Sequence, residues 1–342
     1  MVTRKIKVLV VDDSLLMREY IASGISQDGG IEVVGKAANP YEARDMIIDL
    51  EPDVLTMDVE MPRMSGIEFI KLLMPQYPLP VVVVSSLSAA VFDALNAGAV
   101  DFVCKPIAKS PREMQAFIQE IVVKIKIASM AKVGHMKRSE SRERTLASIG
   151  GNANTLIAIG ASTGGTEAIL QVLKSFPPDM PGVVIVQHMP AVFTKMYAER
   201  LNNTCLVEVR EAVNGDAITQ GKALIAPGGD RQLTVIADRG AYRVRLQEGE
   251  KVSGHCPSVD VLFDSVANAA KKHAIGVILT GMGADGANGL LKMRKNGAFT
   301  IGQDEKSSVV YGMPMVAYNI GAVQRQAPLE DISTLIFDQL QK

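Results

Sequence analysis

The feature of this sequence that most constrains its fold is a repeated alternation of short apolar runs with segments of helical periodicity. In the first half, the apolar runs are Ile6–Val11, Ile31–Ala37, Val54–Met57, Val81–Val84 and Asp101–Cys104. Each run is too short for a helix, and a helical pattern separates it from the next. The second half repeats the alternation, with one antiparallel hairpin around Asp238-Arg239-Gly240. The pattern therefore predicts two doubly wound, mainly parallel α/β/α domains.

Polar side chains in the first half stand at or just after the carboxyl ends of the predicted strands. They are Asp12, Asp13, Asp58, Ser85 and Lys105. These strand ends share one edge of a parallel sheet, where ligands bind. Oxygen ligands suit Mg²⁺, and one carboxylate can accept a phosphoryl group while the lysine and serine hold its oxygens. The alternative is that acidic residues merely cap the loops, which accounts for the first two aspartates but not for all five residues.

The second half opens with a strand that ends in a glycine-rich turn. Leu156–Thr166 reads Leu-Ile-Ala-Ile-Gly-Ala-Ser-Thr-Gly-Gly-Thr, and a helical pattern follows. Gly-x-Ser-x-Gly between a strand and a helix is typical of a nucleophile elbow, which would expose the hydroxyl of Ser162 beside backbone N–H groups. The same stretch also fits a turn that cradles a phosphate or simply closes a strand–helix unit. This segment alone does not decide between them.

Candidate partners for Ser162 are few, because the chain has 4 histidines. His188 directly follows a predicted strand, so it shares the sheet edge with Ser162, whereas His255 lies in a loop. Asp285 reaches the same edge through a glycine-rich loop after Ile275–Thr280. Serine, histidine and aspartate at three strand ends can supply nucleophile, base and orienting acid. Their order along the chain differs from the serine–acid–histidine order of α/β-hydrolases.

Composition and charge narrow the class of protein. Hydrophobic residues make up 47% and charged residues 21%, which is typical of a globular chain. A net charge of −1 gives no reason to expect nucleic acid as a partner, and no segment is long enough for membrane insertion. The 3 cysteines form no CxxC motif, which suits the cytoplasm. Residues 129–153 lose apolar periodicity and carry mixed charge, which predicts a flexible linker between domains 1–128 and 154–342.

Over Lys5–Ala128 the chain resembles the receiver domain of two-component response regulators. The resemblance rests on Val-Asp-Asp-Ser, on Met-Asp-Val-Glu-Met-Pro, on Ser85 and on Lys105-Pro106. It implies a flavodoxin-like fold, with Asp58 as the phosphorylated residue and a histidine kinase as the phosphodonor. It also implies that Asp12, Asp13 and Asp58 bind Mg²⁺, and that Ser85, Phe102 and Lys105 form the switch. The stretch before Gly98 is short, which predicts a fourth helix with one turn fewer.

Across nearly its whole length the chain resembles the chemotaxis protein-glutamate methylesterase/protein-glutamine glutaminase family. The motifs are Ile-Gly-Ala-Ser-Thr-Gly-Gly, Val-Gln-His-Met-Pro, Ala-Pro-Gly-Gly, Pro-Ser-Val-Asp-Val-Leu-Phe and Leu-Thr-Gly-Met-Gly-Ala-Asp-Gly. The resemblance implies a Rossmann-like catalytic domain in which Ser162 is the nucleophile, His188 the base and Asp285 the orienting acid. Thr163 and Met282 would lie near the oxyanion.

The same resemblance implies a function in chemotactic adaptation. The substrates would be glutamate γ-methyl esters, and in some members glutamines, of methyl-accepting chemoreceptors. The esterase step would need no cofactor, and the unphosphorylated receiver would cover the Ser162 edge. Cys256 stands where the resemblance leads us to expect a basic residue.

Two alternatives remain at this stage. The first is a receiver joined to a nucleotide-binding module, although Gly160–Gly165 lacks the lysine of a P-loop and does not fit GxGxxG. The second is a DNA-binding regulator, which the absence of a basic helix-turn-helix pattern disfavours.

Overall fold

The computed structural model describes residues 4–86, 89–107, 110–134 and 155–342. The chain divides into two units, Met1–Met136 and Lys137–Lys342. Most of the predicted linker, residues 135–153, lies outside the described residues. Each unit is an α/β structure built on a parallel sheet, which confirms the predicted fold class.

The first unit alternates strands and helices without interruption. Its elements are β1 (Ile6–Val11), α1 (Leu15–Ile25), β2 (Ile31–Ala37), α2 (Pro40–Leu50), β3 (Val54–Asp58), α3 (Gly66–Gln76), β4 (Val81–Ser85), α4 (Ala90–Ala97), β5 (Asp101–Cys104) and α5 (Pro111–Ala128). The strands pair in parallel in the order β2-β1-β3-β4-β5. This is the flavodoxin-like order, in which the chain reverses direction across the sheet beside β1.

Burial in the first unit follows from that topology. All 5 residues of β3 and of β4 are buried, because helices cover both faces of a parallel sheet. The helices α3 and α5 begin with capping boxes at Ser65 and Ser110. Helix α4 has 8 residues, whereas α1, α2 and α3 each have 11. That it has one turn fewer than in other receivers stays a prediction.

The second unit is larger and contains two sheets. Its strands are β6 (Leu156–Ala161), β7 (Gly182–Gln187), β8 (Glu208–Glu211), β9 (Ala217–Ile218), β10 (Lys222–Ile225), β11 (Arg231–Asp238), β12 (Ala241–Glu248), β13 (Ala274–Ile278), β14 (Phe299–Gln303) and β15 (Arg325–Ala327). Its helices are α6 (Gly165–Lys174), α7 (Ala191–Asn202), α8 (Val259–Ala269), α9 (Ala287–Lys295), α10 (Met313–Asn319) and α11 (Leu329–Leu340).

The main sheet of the second unit is parallel and has the order β15-β14-β13-β6-β7-β10-β8. Strand β6 therefore lies in the middle, with β13 on one side and β7 on the other. A crevice forms beside the carboxyl ends of the strands where a doubly wound sheet changes direction, and ligands bind there. The three central strands β13, β6 and β7 end at this position.

The predicted hairpin is present as β11 and β12, which pair with β9 in a separate antiparallel sheet. Asp238 pairs with Ala241, so the turn consists of Arg239 and Gly240, both with positive φ, at 48° and 86°. Two residues of positive φ match the twist of the flanking strands.

One helix ends earlier than its sequence pattern predicts. The apolar periodicity after Ser258 predicts a helix over Val259–His273, but α8 ends at Ala269 and a single 3₁₀ turn, Lys271–His273, follows it. Lys271 has φ of 51°, a left-handed conformation that an α-helix does not continue through. The chain then enters β13 directly at Ala274.

Candidate active site

Ser162 lies in a tight turn between β6 and α6. Its backbone N–H donates to Thr280 O at 3.0 Å, and its own carbonyl accepts from Gly165 N at 2.7 Å. Gly164 has φ of 78°, and a Cβ there would lie 2.7 Å from the Val309 side chain. A side chain at position 164 would therefore be strained and crowded, which is why the turn needs glycine.

The loop after β13 packs directly against this turn. A Cβ on Gly281 would lie 2.7 Å from Ser162 Cβ, so only glycine permits the approach. Met282, the next residue, is 39% exposed. Thr163 is buried, and its carbonyl accepts from Thr280 Oγ1 at 3.0 Å. Thr163 and Met282 thus flank the serine, and their role near an oxyanion stays a prediction.

His188 and Asp285 lie in direct contact. His188 Nε2 is 2.8 Å from Asp285 Oδ2, and both side chains are buried. The backbone N–H of His188 donates to Ala161 O at 3.2 Å, which continues the β6–β7 ladder and sets His188 beside the Ser162 turn. The other ring nitrogen, His188 Nδ1, is buried and has no hydrogen-bond partner among residues 155–342. An acceptor position on the ring is therefore available for a proton from another group.

The Asp285 carboxylate occupies the N-terminus of α8. It accepts from Ser258 Oγ at 2.7 Å and from the backbone N–H groups of Val259 and Asp260 at 2.8 and 2.9 Å. Burial opposes the charged form of this carboxyl, but the hydrogen bonds from His188, Ser258 and Asp260 outweigh that effect and lower its pKa. The positive end of the helix dipole acts in the same direction. Asp285 is therefore held as an anion.

A second carboxylate, that of Asp260, connects α8 to α9. Asp260, in the first turn of α8, accepts from Gly289 N of α9 at 2.7 Å. Burial raises the pKa of Asp260, and the nearby charge of Asp285 adds to that effect. Asp285 precedes α9 and caps α8, while Asp260 belongs to α8 and binds α9. This reciprocal arrangement fixes the position of Asp285.

His255 stacks on His188. The two imidazole rings lie parallel, with an interplanar angle of 8° and ring centroids 3.6 Å apart. The backbone of His255 exchanges two hydrogen bonds with Val252, at 2.9 and 3.0 Å, which fixes the loop that carries it. The sequence placed His255 only in a loop. No spacing signal predicts the contact, because it depends on the path of the loop in the folded chain.

The polar residues of the first unit also converge at the carboxyl edge of their sheet. Lys105 Nζ lies 2.9 Å from Asp12 Oδ2 and 2.6 Å from Asp58 Oδ2. Burial opposes the charged form of Lys105, but its close contacts with the two aspartates, an ion pair with Asp12 and a hydrogen-bonded ion pair with Asp58, prevail and raise its pKa. Burial is also the main cause of a raised pKa at Asp58. The lysine thus holds the two carboxylates together.

The predicted Mg²⁺ ligands lie close enough to share an ion. Asp12, Asp13 and Asp58 each offer a carboxylate oxygen, and these atoms lie within 4.8 Å of one another. An all-oxygen, anionic donor set with one exposed member suits Mg²⁺, which retains water ligands. The residues present therefore fit the ion.

The remaining predicted receiver residues lie on neighbouring strands. Ser85, fully buried, ends β4, and its carbonyl accepts from Lys105 N at 2.8 Å. Phe102 lies on β5 with only 6% exposure, so its ring belongs to the interior in this conformation. The switch roles of Ser85, Phe102 and Lys105 stay predictions.

Sequence reasoning missed three residues that support the catalytic candidates. Ser258 binds Asp285, Thr280 binds the Ser162 turn, and Gln187 ends β7 as a buried amide. The only signal for them was a polar residue next to a strongly apolar segment. Such a signal does not say which partner the side chain meets.

The chain was compared with known proteins. Residues 157–336 match the family model of the CheB methylesterase, and residues 8–119 match that of the response regulator receiver domain. Among similar proteins, the protein-glutamate methylesterase/protein-glutamine glutaminase 2 of Syntrophomonas wolfei is 59% identical over 98% of this chain and 97% of its own length. The corresponding protein of Sulfurimonas denitrificans is 50% identical over 97% of each chain.

A solved structure agrees with these matches. The crystal structure of the Thermotoga maritima CheB methylesterase catalytic domain has 34% sequence identity and a TM-score of 0.53, covering 54% of this chain and 98% of that one. No helix among the described residues is long and apolar enough to cross a membrane. The matches support the methylesterase interpretation and not a nucleotide-binding module. Since the methylesterase family model spans more than half of the chain, and the relatives align over nearly all of it, the chain belongs to the CheB methylesterase family.

Proposed function

We propose that the protein is a phosphorylation-activated serine hydrolase that demethylates glutamate γ-methyl esters of chemoreceptors. The observation that carries this proposal is the convergence of Ser162, His188 and Asp285 at the carboxyl edge of one sheet, after its three central strands. The relatives bear the same activity in their names, protein-glutamate methylesterase/protein-glutamine glutaminase.

The hydrogen bonds of His188 assign a task to each ring nitrogen. Asp285 is held as an anion, so His188 Nε2 carries a hydrogen and donates it to the carboxylate. The lone pair of the ring is then on Nδ1, the unpartnered atom, and we assign it to the Ser162 hydroxyl because both residues lie at the same sheet edge. Nδ1 takes the serine proton, and the Asp285 carboxylate stabilises the imidazolium that forms.

The reaction follows in two steps. The Ser162 oxygen attacks the ester carbonyl, and the tetrahedral intermediate collapses when His188 returns its proton to the departing methanol. Water, deprotonated by His188 in turn, then attacks the acyl-enzyme and releases the glutamate side chain. A glutamine side chain passes through the same acyl-enzyme with ammonia as the leaving group. We place Thr163 and Met282 beside the oxyanion because both adjoin the Ser162 turn.

Control of the enzyme belongs to the first unit. Asp58 accepts a phosphoryl group from a chemotaxis histidine kinase, and Lys105, already 2.6 Å from Asp58, neutralises charge on the transferred group. Asp12, Asp13 and Asp58 would hold Mg²⁺, which when bound would offset the negative charge of the phosphoryl oxygens. The esterase step uses the side chains of the second unit and needs no cofactor.

The proposal also assigns a domain to each part of the chain. Residues 1–128 form the receiver, 129–153 the linker and 154–342 the catalytic domain, and the two family matches fall inside the first and last of these ranges. We place the protein in the cytoplasm, because Cys104, Cys205 and Cys256 are free thiols, the usual state in a reducing compartment.

The test is methanol release from methylated receptors by the wild type and by Ser162→Ala. We expect a loss of at least about 10³-fold, because nucleophile and base act as a unit. Ser175→Ala is the matched control, since its hydroxyl donates only to the end of α6. A fluorophosphonate should label Ser162, as mass spectrometry would show. Full activity of Ser162→Ala would overturn the proposal.

A further inference from the structure

Gln187 is a polar residue in an otherwise apolar strand. It is the last residue of β7, which reads Gly-Val-Val-Ile-Val-Gln, and its side chain is only 3% exposed. Burying an amide is costly unless hydrogen bonds compensate for the lost water. The partners of this amide therefore indicate why a glutamine stands there.

The amide nitrogen of Gln187 bridges two backbone segments. Nε2 donates to Ser162 O at 2.9 Å and to His188 O at 3.2 Å. The β6–β7 pairing ends at Ala161 opposite Gln187. The Gln187 side chain thus connects the backbones of β6 and β7 one residue beyond their last pair, at Ser162 and His188, the residues proposed as nucleophile and base.

The orientation of the amide is fixed by its surroundings. Gln187 Oε1 is buried and has no hydrogen-bond partner within residues 155–342. Flipping the amide would instead set Oε1 against the two carbonyl oxygens of Ser162 and His188, with no donor between them. A Cβ on Gly165 would lie 2.2 Å from Oε1, so the amide also fills the space behind the Ser162 turn. The second glycine of the Gly-Gly pair thereby leaves room for Gln187.

From these contacts we infer that Gln187 is a positioning residue for the hydrolytic reaction, a clamp that fixes the spacing between the Ser162 turn and the His188 backbone. The inference rests on the proposed roles of Ser162 and His188. It goes beyond them because Gln187 touches neither substrate nor the reacting atoms. Its effect is on geometry: proton transfer from serine to histidine requires hydrogen-bond distance, and a small displacement of either segment lengthens it.

The test removes the hydrogen-bond donor of the Gln187 side chain while keeping a side chain of similar volume. Gln187→Met in the full-length protein retains an unbranched side chain of similar length that cannot donate to the two carbonyls. Two rates are measured: fluorophosphonate labelling of Ser162, which needs no receptor, and methanol release from methylated receptors. We expect the labelling rate and kcat to fall by about 10- to 100-fold, the range in which a misplacement of about 1 Å acts. KM for the receptor should change by less than about twofold, because the clamp does not face the substrate.

Two control variants separate positioning from a general loss of stability. Val186→Ala removes buried volume from the same strand without touching the clamp. Gln324→Met removes another glutamine–backbone bond of the same sheet, from Thr300 N at 3.0 Å, away from the Ser162 turn. Both should lower the melting temperature yet label at the wild-type rate below it.

The outcomes distinguish this inference from the proposed function. If Gln187→Met labels at the wild-type rate, or if Val186→Ala loses as much labelling as Gln187→Met, the clamp does not act on geometry and the inference fails. If Ser162→Ala remains active, or the reagent labels another residue, the proposed function itself fails. A slow Gln187→Met with wild-type controls and an inactive Ser162→Ala supports both.

Discussion

The substitution Asp285→Asn tests how the carboxylate holds His188, because it keeps the shape of the side chain and removes its charge. Asp285 Oδ2 accepts from His188 Nε2 and Val259 N, each at 2.8 Å. Oδ1 accepts from Ser258 Oγ at 2.7 Å and from Asp260 N at 2.9 Å. Asparagine has one oxygen for these four donors.

Either orientation of the new amide leaves a backbone N–H without an acceptor. With the oxygen toward His188, the NH₂ group faces Ser258, whose hydroxyl can turn to accept, and the Asp260 N–H is stranded. A stranded buried donor costs about 1–3 kcal/mol, and hydrogen bonds to a charged group contribute about 1.5–3 kcal/mol. We therefore expect Asp285→Asn to lower the free energy of unfolding by about 2–4 kcal/mol.

The orientation of the asparagine amide also decides how much activity is lost. With the oxygen toward His188, Nε2 keeps its hydrogen, and only the charge that stabilises the imidazolium is removed. With the NH₂ group toward His188, the ring is forced into the wrong tautomer, for which losses of about 10⁴-fold are known in serine hydrolases. We expect kcat to fall by about 10²- to 10³-fold, which corresponds to about 2.7–4 kcal/mol of transition-state stabilisation.

Methanol release and thermal unfolding of the full-length variant measure both effects. Asp264→Asn is the matched control: it neutralises another carboxylate between α8 and α9, which pairs with Lys292 and not with His188, so kcat should change by less than about threefold. If Asp285→Asn keeps kcat within about threefold of the wild type, Asp285 does not orient or stabilise His188, and the reasoning is refuted.

The stability difference should also depend on pH in a defined direction. The folded pKa of Asp285 is lowered, so its contribution is complete above the unfolded value of about 3.9. It is lost as the pH falls from that value through the folded pKa, because the unfolded chain then binds the proton more readily. The gap in unfolding free energy between wild type and Asp285→Asn should therefore narrow only below about pH 4. A gap that narrows between pH 7 and 5 would contradict this assignment.

Three further predictions follow from the same sites. His188→Gln should be nearly inactive, whereas His255→Gln, which removes only the stacked ring, should mainly raise KM; steady-state methanol release ranks them, and the reverse ranking would refute the assignment of the base. Asp58→Asn should keep basal hydrolysis but should not be activated by a phosphodonor with Mg²⁺. In the wild type, a coupling of about 1–3 kcal/mol would give roughly 5- to 150-fold activation. Activation of the variant would exclude Asp58 as the acceptor. At pH 8, iodoacetamide should alkylate Cys256 before Cys104, since burial raises the pKa of both thiols but raises that of the more deeply buried Cys104 to about 12; peptide mass spectrometry gives the order, and equal rates would contradict it.

The sequence alone determined the architecture and the edge at which the chemistry lies. Buried parallel strands are covered on both faces, so they appear as continuous apolar runs whose ends are easy to locate. The polar residue that follows such a run must lie at the carboxyl edge, which is why that position could be predicted for Asp58 and Ser162 without a structure. The edge strand β8, Glu208–Glu211, was missed because only one of its 4 residues is fully buried.

Only the tertiary structure decided which side chains meet at that edge. The sequence does not show that Asp285 caps α8, that His255 stacks on His188, or that the amide of Gln187 joins the Ser162 turn to the His188 backbone. These contacts join residues far apart in the chain, or depend on the rotamer of a single buried side chain. Hydrophobic periodicity records which face of an element is buried, but a hydrogen bond depends on distances of a few tenths of an ångström, which only the packed fold sets.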